Sequence, residues 1–217
     1  NAMNLLTRWQ AIEYITSQNF DRRAADLLNC ITVVPGAVGA WRREAVERAG
    51  GYSSQTLAED TDLTWTLRKL GYRIASENEA LAYTEAPDGL RSLARQRFRW
   101  AFGTLQNLWK HRRALLNPRF GTFGWLALPG LWVYQIGFQA VAPAVDLMIL
   151  TSLWLGDVQR ILFYYGVFFV AELVGAWVAF SLERENKRLL VWLFWQRFIY
   201  RQLMYYVIVR SIMPVSY

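Results

Sequence analysis

Residues 161–182 read ILFYYGVFFVAELVGAWVAFSL. Glu172 is the one charged side chain among these 22 residues, and a helix wound from them has no polar face. About 20 apolar residues suffice to cross a bilayer core, so the stretch reads as a membrane span. The alternative, a core helix of a large soluble helical protein, calls for the polar face that is missing here.

The flanking sequence extends this reading. Residues 123–155 form 33 mostly apolar residues interrupted by Pro129 and Pro143. They read as an interfacial or re-entrant segment near Trp125 to Leu131 followed by a span ending about Leu155. Residues 189–213 form a third apolar stretch, but it carries Arg197, Arg201 and Arg210. Arg197 and Arg201 are four apart and share one helix face, which is expected to meet protein or headgroups rather than lipid tails. Residues 120–217 are therefore expected to be a membrane region of about three helices (about 125–155, 161–182 and 189–213), and residues 4–119 a polar domain. Asn1-Ala2 before Met3 reads as a tag remnant ahead of a start Met. No cleavable signal peptide is visible.

The whole-chain composition hides this division. The 217 residues carry 24 Lys+Arg against 17 Asp+Glu, a net charge of +7, and are 54% hydrophobic. Residues 1–119 hold 17 of the basic and 12 of the acidic residues, leaving 7 and 5 for the rest. So apolar a chain is not disordered. A single cysteine, Cys30, excludes a disulfide framework, and a single histidine, His111, excludes a metal site of several imidazoles. The basic residues are dispersed among acids and are densest beside the membrane region, which points to anionic headgroups and not to nucleic acid. Lys110, Arg112, Arg113 and Arg119 precede the first span, and Arg184, Lys187 and Arg188 follow the second. The positive-inside rule then puts the polar domain and the 183–188 loop in the cytoplasm.

Within the polar domain, Leu5 to Leu28 has amphipathic helical spacing through Leu5, Trp9, Ile12 and later Leu27 and Leu28. Ile31-Thr32-Val33-Val34 reads as an extended stretch running into Pro35-Gly36-Ala37-Val38-Gly39-Ala40, where small residues let a backbone come close to a ligand or strand. A short helix follows from Arg42, ended by Gly50-Gly51. Leu57-Ala58-Glu59-Asp60-Thr61-Asp62 sets three carboxylates at the start of another helix that runs to Leu70, with Gly71 as terminator. Residues 72–84 read as a strand pair or a strand plus loop. A further helix is expected from about Ser92.

Two groups of residues suggest chemistry. The acids at 59–62 suit a helix N-terminus as caps and dipole partners. Equally, a carboxylate held there could serve as a general base toward a hydroxyl. Gln96, Arg99 and Trp100 stand at i, i+3 and i+4 on one helix face, and Gly103 leaves room beside the indole. Guanidinium pairs with phosphate oxygens in a fork, and indole stacks on the apolar face of a sugar ring. The plainer alternative is a core Trp beside an Arg in a surface ion pair.

Taken in order, an acidic pair opening a helix, then Q-x-x-R-W, then membrane spans, resembles the processive family 2 glycosyltransferases. These inverting membrane synthases make cellulose, chitin, hyaluronan and poly-N-acetylglucosamine. Ala58-Glu59-Asp60 is similar to the family's T-E-D motif with Ala for Thr, and Gln96, Arg99 and Trp100 match Q-x-x-R-W in full. Pro35 to Tyr52 is similar to the segment with the acceptor-side glycine turn, with Pro35-Gly36 where cellulose synthases have Cys-Gly. Gln10–Asn29 and the TLAEDTDLTWTLRKLGY stretch look most like the bacterial poly-β-1,6-N-acetylglucosamine synthases.

The resemblance implies an α/β fold, namely the acceptor-side half of a GT-A catalytic domain over 4–119, followed by an all-α transmembrane region. It implies Asp60 as general base and Glu59 as its helper or an acceptor contact. Trp100 and Gly36 would face the acceptor at the mouth of a transmembrane channel, and Gln96 and Arg99 the donor diphosphate. A UDP-sugar, N-acetylglucosamine by the closest resemblance, would be the donor and the growing β-linked polysaccharide the acceptor. A divalent cation, Mg2+ or Mn2+, would offset the leaving diphosphate. The lipid bilayer and an accessory membrane subunit would be further partners, and the location a multi-pass bacterial inner membrane with a cytoplasmic catalytic part. The family's nucleotide-binding half and its D-x-D metal motif have no counterpart here. Asp60-Thr61-Asp62 is the sole D-x-D string, and it overlaps the base motif. The chain alone is therefore expected not to transfer sugar. Two other readings remain: a non-processive family 2 transferase acting on a lipid-linked acceptor, and a catalytically inactive membrane accessory protein.

Overall fold

In a computed structural model the described residues are 4–80, 82–154, 156 and 158–212. Helix α1 (Leu5–Glu13) opens on Asn4, whose side chain accepts from Thr7 N–H while the Thr7 hydroxyl contacts the Asn4 backbone in a capping box. A π-helical stretch, Tyr14–Phe20, joins α1 to α2 (Asp21–Leu27). Each π turn holds about one residue more than an α turn, which rotates everything downstream by roughly 100°. Leu6, Trp9, Ile12 and Ile15 are buried, whereas Leu27 is fully on the surface and Leu28 exposed. A stripe read at 3.6-residue spacing from Leu5 to Leu28 is broken by that π segment.

Helices α3 (Arg43–Ala49) and α4 (Glu59–Lys69) both end at left-handed glycines, Gly50 at φ 83° and, just past the α4 cap, Gly71 at φ 88°. The long helix α5 (Leu90–Lys110) follows. The chain then runs, through π-helical turns on either side of a short α6 (Leu128–Gly130), into α7 (Phe138–Trp154). Pro129 lies in α6, which continues the preceding π-helical run, so its missing N–H leaves that run without one helical bond. Helix α8 (Val158–Leu182) and helix α9 (Leu193–Ile212) complete the described chain.

Among the described residues no strand or sheet forms, and this overturns the expected α/β GT-A fold. A strand is stable only beside another strand edge. Residues 31–35 have no regular secondary structure and run into a turn at Gly36, and their backbone is met by side chains of α4. Trp65 Nε1 donates to Thr32 O (2.7 Å), Val34 N donates to Thr64 Oγ1 (3.2 Å) and Gly36 N donates to Asp60 Oδ2 (3.0 Å). The described part of 72–84, expected as strand, is irregular and mostly exposed, tied to α2 by a bond from Ser76 N to Asp26 Oδ2 (3.2 Å).

Among the described residues α8 is the one helix long and apolar enough to cross a membrane. Most of its large side chains, such as Phe163, Phe168 and Trp177, face outward, while Ala176, Ala179 and Phe180 are buried. Those three join Leu6, Trp9, Ile12 and Ile15, Leu93 of α5, and Leu193 and Tyr200 of α9 in one core. The amphipathic N-terminal helix thus packs on the apolar C-terminal helices. Arg197 of α9 pairs with Glu172 of α8 (2.7 Å), so this charge inside an apolar stretch meets protein. The tag-like residues 1–3, Leu155 and Met213 lie outside the described residues.

A second core, around Trp65, Leu108, Ala114, Phe123 and Leu128, ties α4 and α5 to the π-helical run. A third, of Ala45, Leu63 and Leu67, packs α3 on α4.

Candidate functional site

Three stretches singled out in the sequence meet at the start of α4. The 31–36 segment is bonded along α4, ending with the Gly36 N–H on Asp60 Oδ2. The other carboxylate oxygen, Oδ1, accepts from the Thr61 N–H (2.7 Å). Asp60 is half-buried and Glu59 exposed. Thr64 Oγ1, which receives Val34 N–H, donates in turn to Asp60 O (2.7 Å), so one threonine locks the segment to the helix turn that carries Asp60.

Helix α5 supplies the opposite wall. Gln96, Arg99, Trp100, Gly103, Asn107 and Lys110 follow one another on a single face. Gly103 lets the Leu57-Ala58 backbone lie against that face. A Cβ there would stand 2.7 Å from Ala58 Cβ and 2.8 Å from Ala58 N, closer than atoms can pack. The room the sequence showed beside Trp100 is therefore filled by Ala58. Asn107 Nδ2 donates to Ala58 O (3.0 Å) and Leu57 N donates to Gln106 Oε1 (2.8 Å). The turn carrying Glu59 and Asp60 is thus clamped onto α5 one helical turn beyond Trp100. Trp100 is partly exposed and Arg99 is exposed. Gln96 is half-buried, its Oε1 enclosed with no hydrogen-bond partner among the described residues.

The third acid, Asp62, has a different place. It is 2% exposed, with Oδ2 accepting from Lys110 Nζ (2.7 Å) and Oδ1 2.7 Å from His111 Nε2. Lys69 Nζ lies 3.1 Å from His111 Nδ1. An ammonium only donates, so Nδ1 is the acceptor and Nε2–H donates to Asp62. Burial raises the Asp62 pKa, but the bonds and charges of Lys110 and His111 outweigh it and hold the carboxyl below its ordinary value. Burial depresses the imidazole pKa, the bond to Asp62 works against this, and the Lys69 and Lys110 charges add to the depression.

This disposes of Asp60-Thr61-Asp62 as a metal motif. Both Asp62 oxygens are engaged inside the protein, and among the described residues no group of three or more His, Cys, Asp or Glu could hold a metal ion. The residues present do not fit the divalent cation that the resemblance implies.

The sequence reading passed over Arg97. It is 5% exposed, and its Nη2 donates to Glu13 Oε2 of α1 (2.7 Å) and to the Tyr200 hydroxyl of α9 (3.2 Å). Its guanidinium lies 4.3 Å from the centre of the Trp100 ring. The signal was available: Arg97 stands four residues after the fully buried Leu93, and an arginine on a buried stripe requires partners.

A family model described as "Glycosyl transferase family group 2" matches residues 1–182. This chain belongs to the family 2 glycosyltransferases. Among curated relatives, the uncharacterized glycosyltransferase YaiP of Escherichia coli is 35% identical over 105 residues, 48% of this chain and 26% of that protein. The probable glycosyltransferase YdaM of Bacillus subtilis is 37% identical over 102 residues, 47% of this chain and 24% of that protein. The poly-beta-1,6-N-acetyl-D-glucosamine synthase of Staphylococcus aureus is 27% identical over 140 residues, 63% of this chain and 34% of that protein. The chain thus spans only a quarter to a third of these relatives. No solved structure matches it.

Proposed function

We propose that this family 2 chain carries the acceptor side and the membrane side of an inverting, processive transferase. The enzyme would move a sugar, N-acetylglucosamine by the staphylococcal likeness, from a UDP-sugar to the growing end of a β-linked polysaccharide and pass the product through the membrane. The observation that carries the reading is the meeting of Gly36, Asp60 and the α5 face of Trp100 around one turn.

In this reading Asp60 takes the proton of the acceptor hydroxyl, Gly36 N–H having fixed the carboxylate's orientation. The hydroxyl oxygen forms its bond to the anomeric carbon as the bond to the diphosphate breaks, and the electron pair leaves with the nucleotide. A single displacement of this kind inverts the anomeric centre. Arg99 meets the diphosphate charge, and Gln96 a donor oxygen. Trp100 stacks on the acceptor sugar, and Glu59, at the same turn, holds it. Residues 4–119 lie on the cytoplasmic side and 120–217 in the membrane.

The test is Asp60→Asn in the full-length protein, with release of UDP from UDP-N-acetylglucosamine as the measurement. A loss of about 10²-fold or more in turnover is expected with little change in donor affinity. Undiminished turnover overturns the assignment.

A further inference from the structure

Trp100 has two ring faces, and the protein has committed one of them. The Arg97 guanidinium lies 4.3 Å from the ring centre, itself 5% exposed, whereas Trp100 is 38% exposed. The solvent-facing area of the indole therefore belongs to the opposite face and the ring edge. Arg97 is not a loose surface cation. It bonds to Glu13 and to the Tyr200 hydroxyl, Tyr200 also donates to Glu13 Oε2, and the Tyr14 ring lies 5.7 Å from the guanidinium. Helices α1, α5 and α9 each contribute one corner of this triangle.

We propose that Arg97 is a positioning residue for acceptor binding. Held by Glu13 and Tyr200, it fixes the Trp100 ring from its protein face, so that the free face is presented flat to a sugar ring. The inference rests on the reading of Trp100 as the acceptor platform. A buried guanidinium is costly unless paired, and the pairing with Glu13 and Tyr200 is what holds Arg97 beneath the indole. A desolvated cation over an indole is among the stronger contacts of its kind, enough to hold the ring in one rotamer.

The experiment uses the full-length protein in lipid nanodiscs, labelled with 5-fluorotryptophan. The Trp100 fluorine line is assigned by its loss in Trp100→Phe. The probe is a β-1,6-linked N-acetylglucosamine pentamer. Arg97→Met should shift and broaden the Trp100 line and weaken pentamer binding by about tenfold. Arg97→Lys, which keeps the charge, should recover part of the affinity. Tyr200→Phe removes one bond to Arg97 at nearly constant volume, and should weaken binding by a few-fold even if Arg97→Met fails to fold. Donor-side KM for UDP-N-acetylglucosamine should stay unchanged in all three, which a general loss of structure would not allow. If Trp100→Ala weakens the pentamer while Arg97→Met and Tyr200→Phe leave both its affinity and the fluorine line unchanged, the positioning role is overturned and the platform stands. If Trp100→Ala itself leaves pentamer affinity unchanged, the platform reading falls, and the role of Arg97 with it.

Discussion

His111 shows how one residue can couple a site to pH without entering the reaction. Its imidazole is buried and neutral, accepting from Lys69 and donating to Asp62. Its pKa in the folded protein lies below the ordinary 6.5, so on acidification the unfolded chain takes up the proton first. The stability that the neutral ring supplies is complete above about pH 6.5 and is lost as pH falls toward the folded pKa. The thermal midpoint in detergent should therefore drop between pH 7 and pH 5. In His111→Gln, whose amide can still donate to Asp62 and accept from Lys69, that part of the slope should vanish. An equal slope in both proteins contradicts the assignment. Little of this was legible in the sequence. His111 read only as a lone histidine and Asp62 as one acid of three, because the partners lie 42 and 49 residues apart. Asp60, Gly36 and Trp100 were singled out because their order and spacing form motifs, and their roles stand as proposals. Arg97 was missed because it lies between motif positions and its partners belong to other helices.

At the scale of elements, the contact between α5 and the turn before α4 is set by a single missing side chain. Gly103→Ala would drive a methyl into Ala58 backbone, which cannot swing aside as the tip of a flexible side chain could. We expect a loss of about 1–3 kcal/mol and a fall in transferase turnover, because the turn holding Asp60 must lift from the Trp100 face. Gly166→Ala, in open space on α8, should be neutral or slightly stabilising, since alanine is the better helix former. Equal effects of the two substitutions on chemical denaturation midpoints would contradict the close approach. Three of the helices were well read from the sequence: α3 and α4 stop at the expected glycines, and α8 is the apolar helix seen in its composition. The strands were not. The β-branched run at 31–34 is a fair strand sequence, but α4 side chains satisfy its backbone, and nothing local reveals which partner a polar backbone will find. The π-helical turns also escaped, since they leave no residue signature and shift the register silently.

For the whole molecule, the decisive issue is where the bilayer runs. Among the described residues the one helix that qualifies as a span on length and composition, α8, carries Arg160 in its first turn and is followed by Arg184, Lys187 and Arg188. The proposed reading has residues 183–188 on the cytoplasmic side with the polar domain. With Cys30 replaced by Ser, single cysteines at Val158 and at Glu185 should then label from opposite sides of sealed inverted vesicles. The Glu185 site should react with an impermeant maleimide added outside, and the Val158 site only after permeabilisation. Labelling of both from one side would overturn the crossing.

Trp9 donates from its indole to Trp192 O, and Gln196 donates to Trp9 O across 187 residues of chain. This part of the packing of α1 therefore forms only once residues 192–196 have been made. During synthesis at about 5–20 residues per second, the apolar stripe of α1 waits roughly 10–40 s for α9 to arrive. Closure of the core is thus slow and non-local, and until then the amphipathic first helix has a membrane surface as its natural resting place.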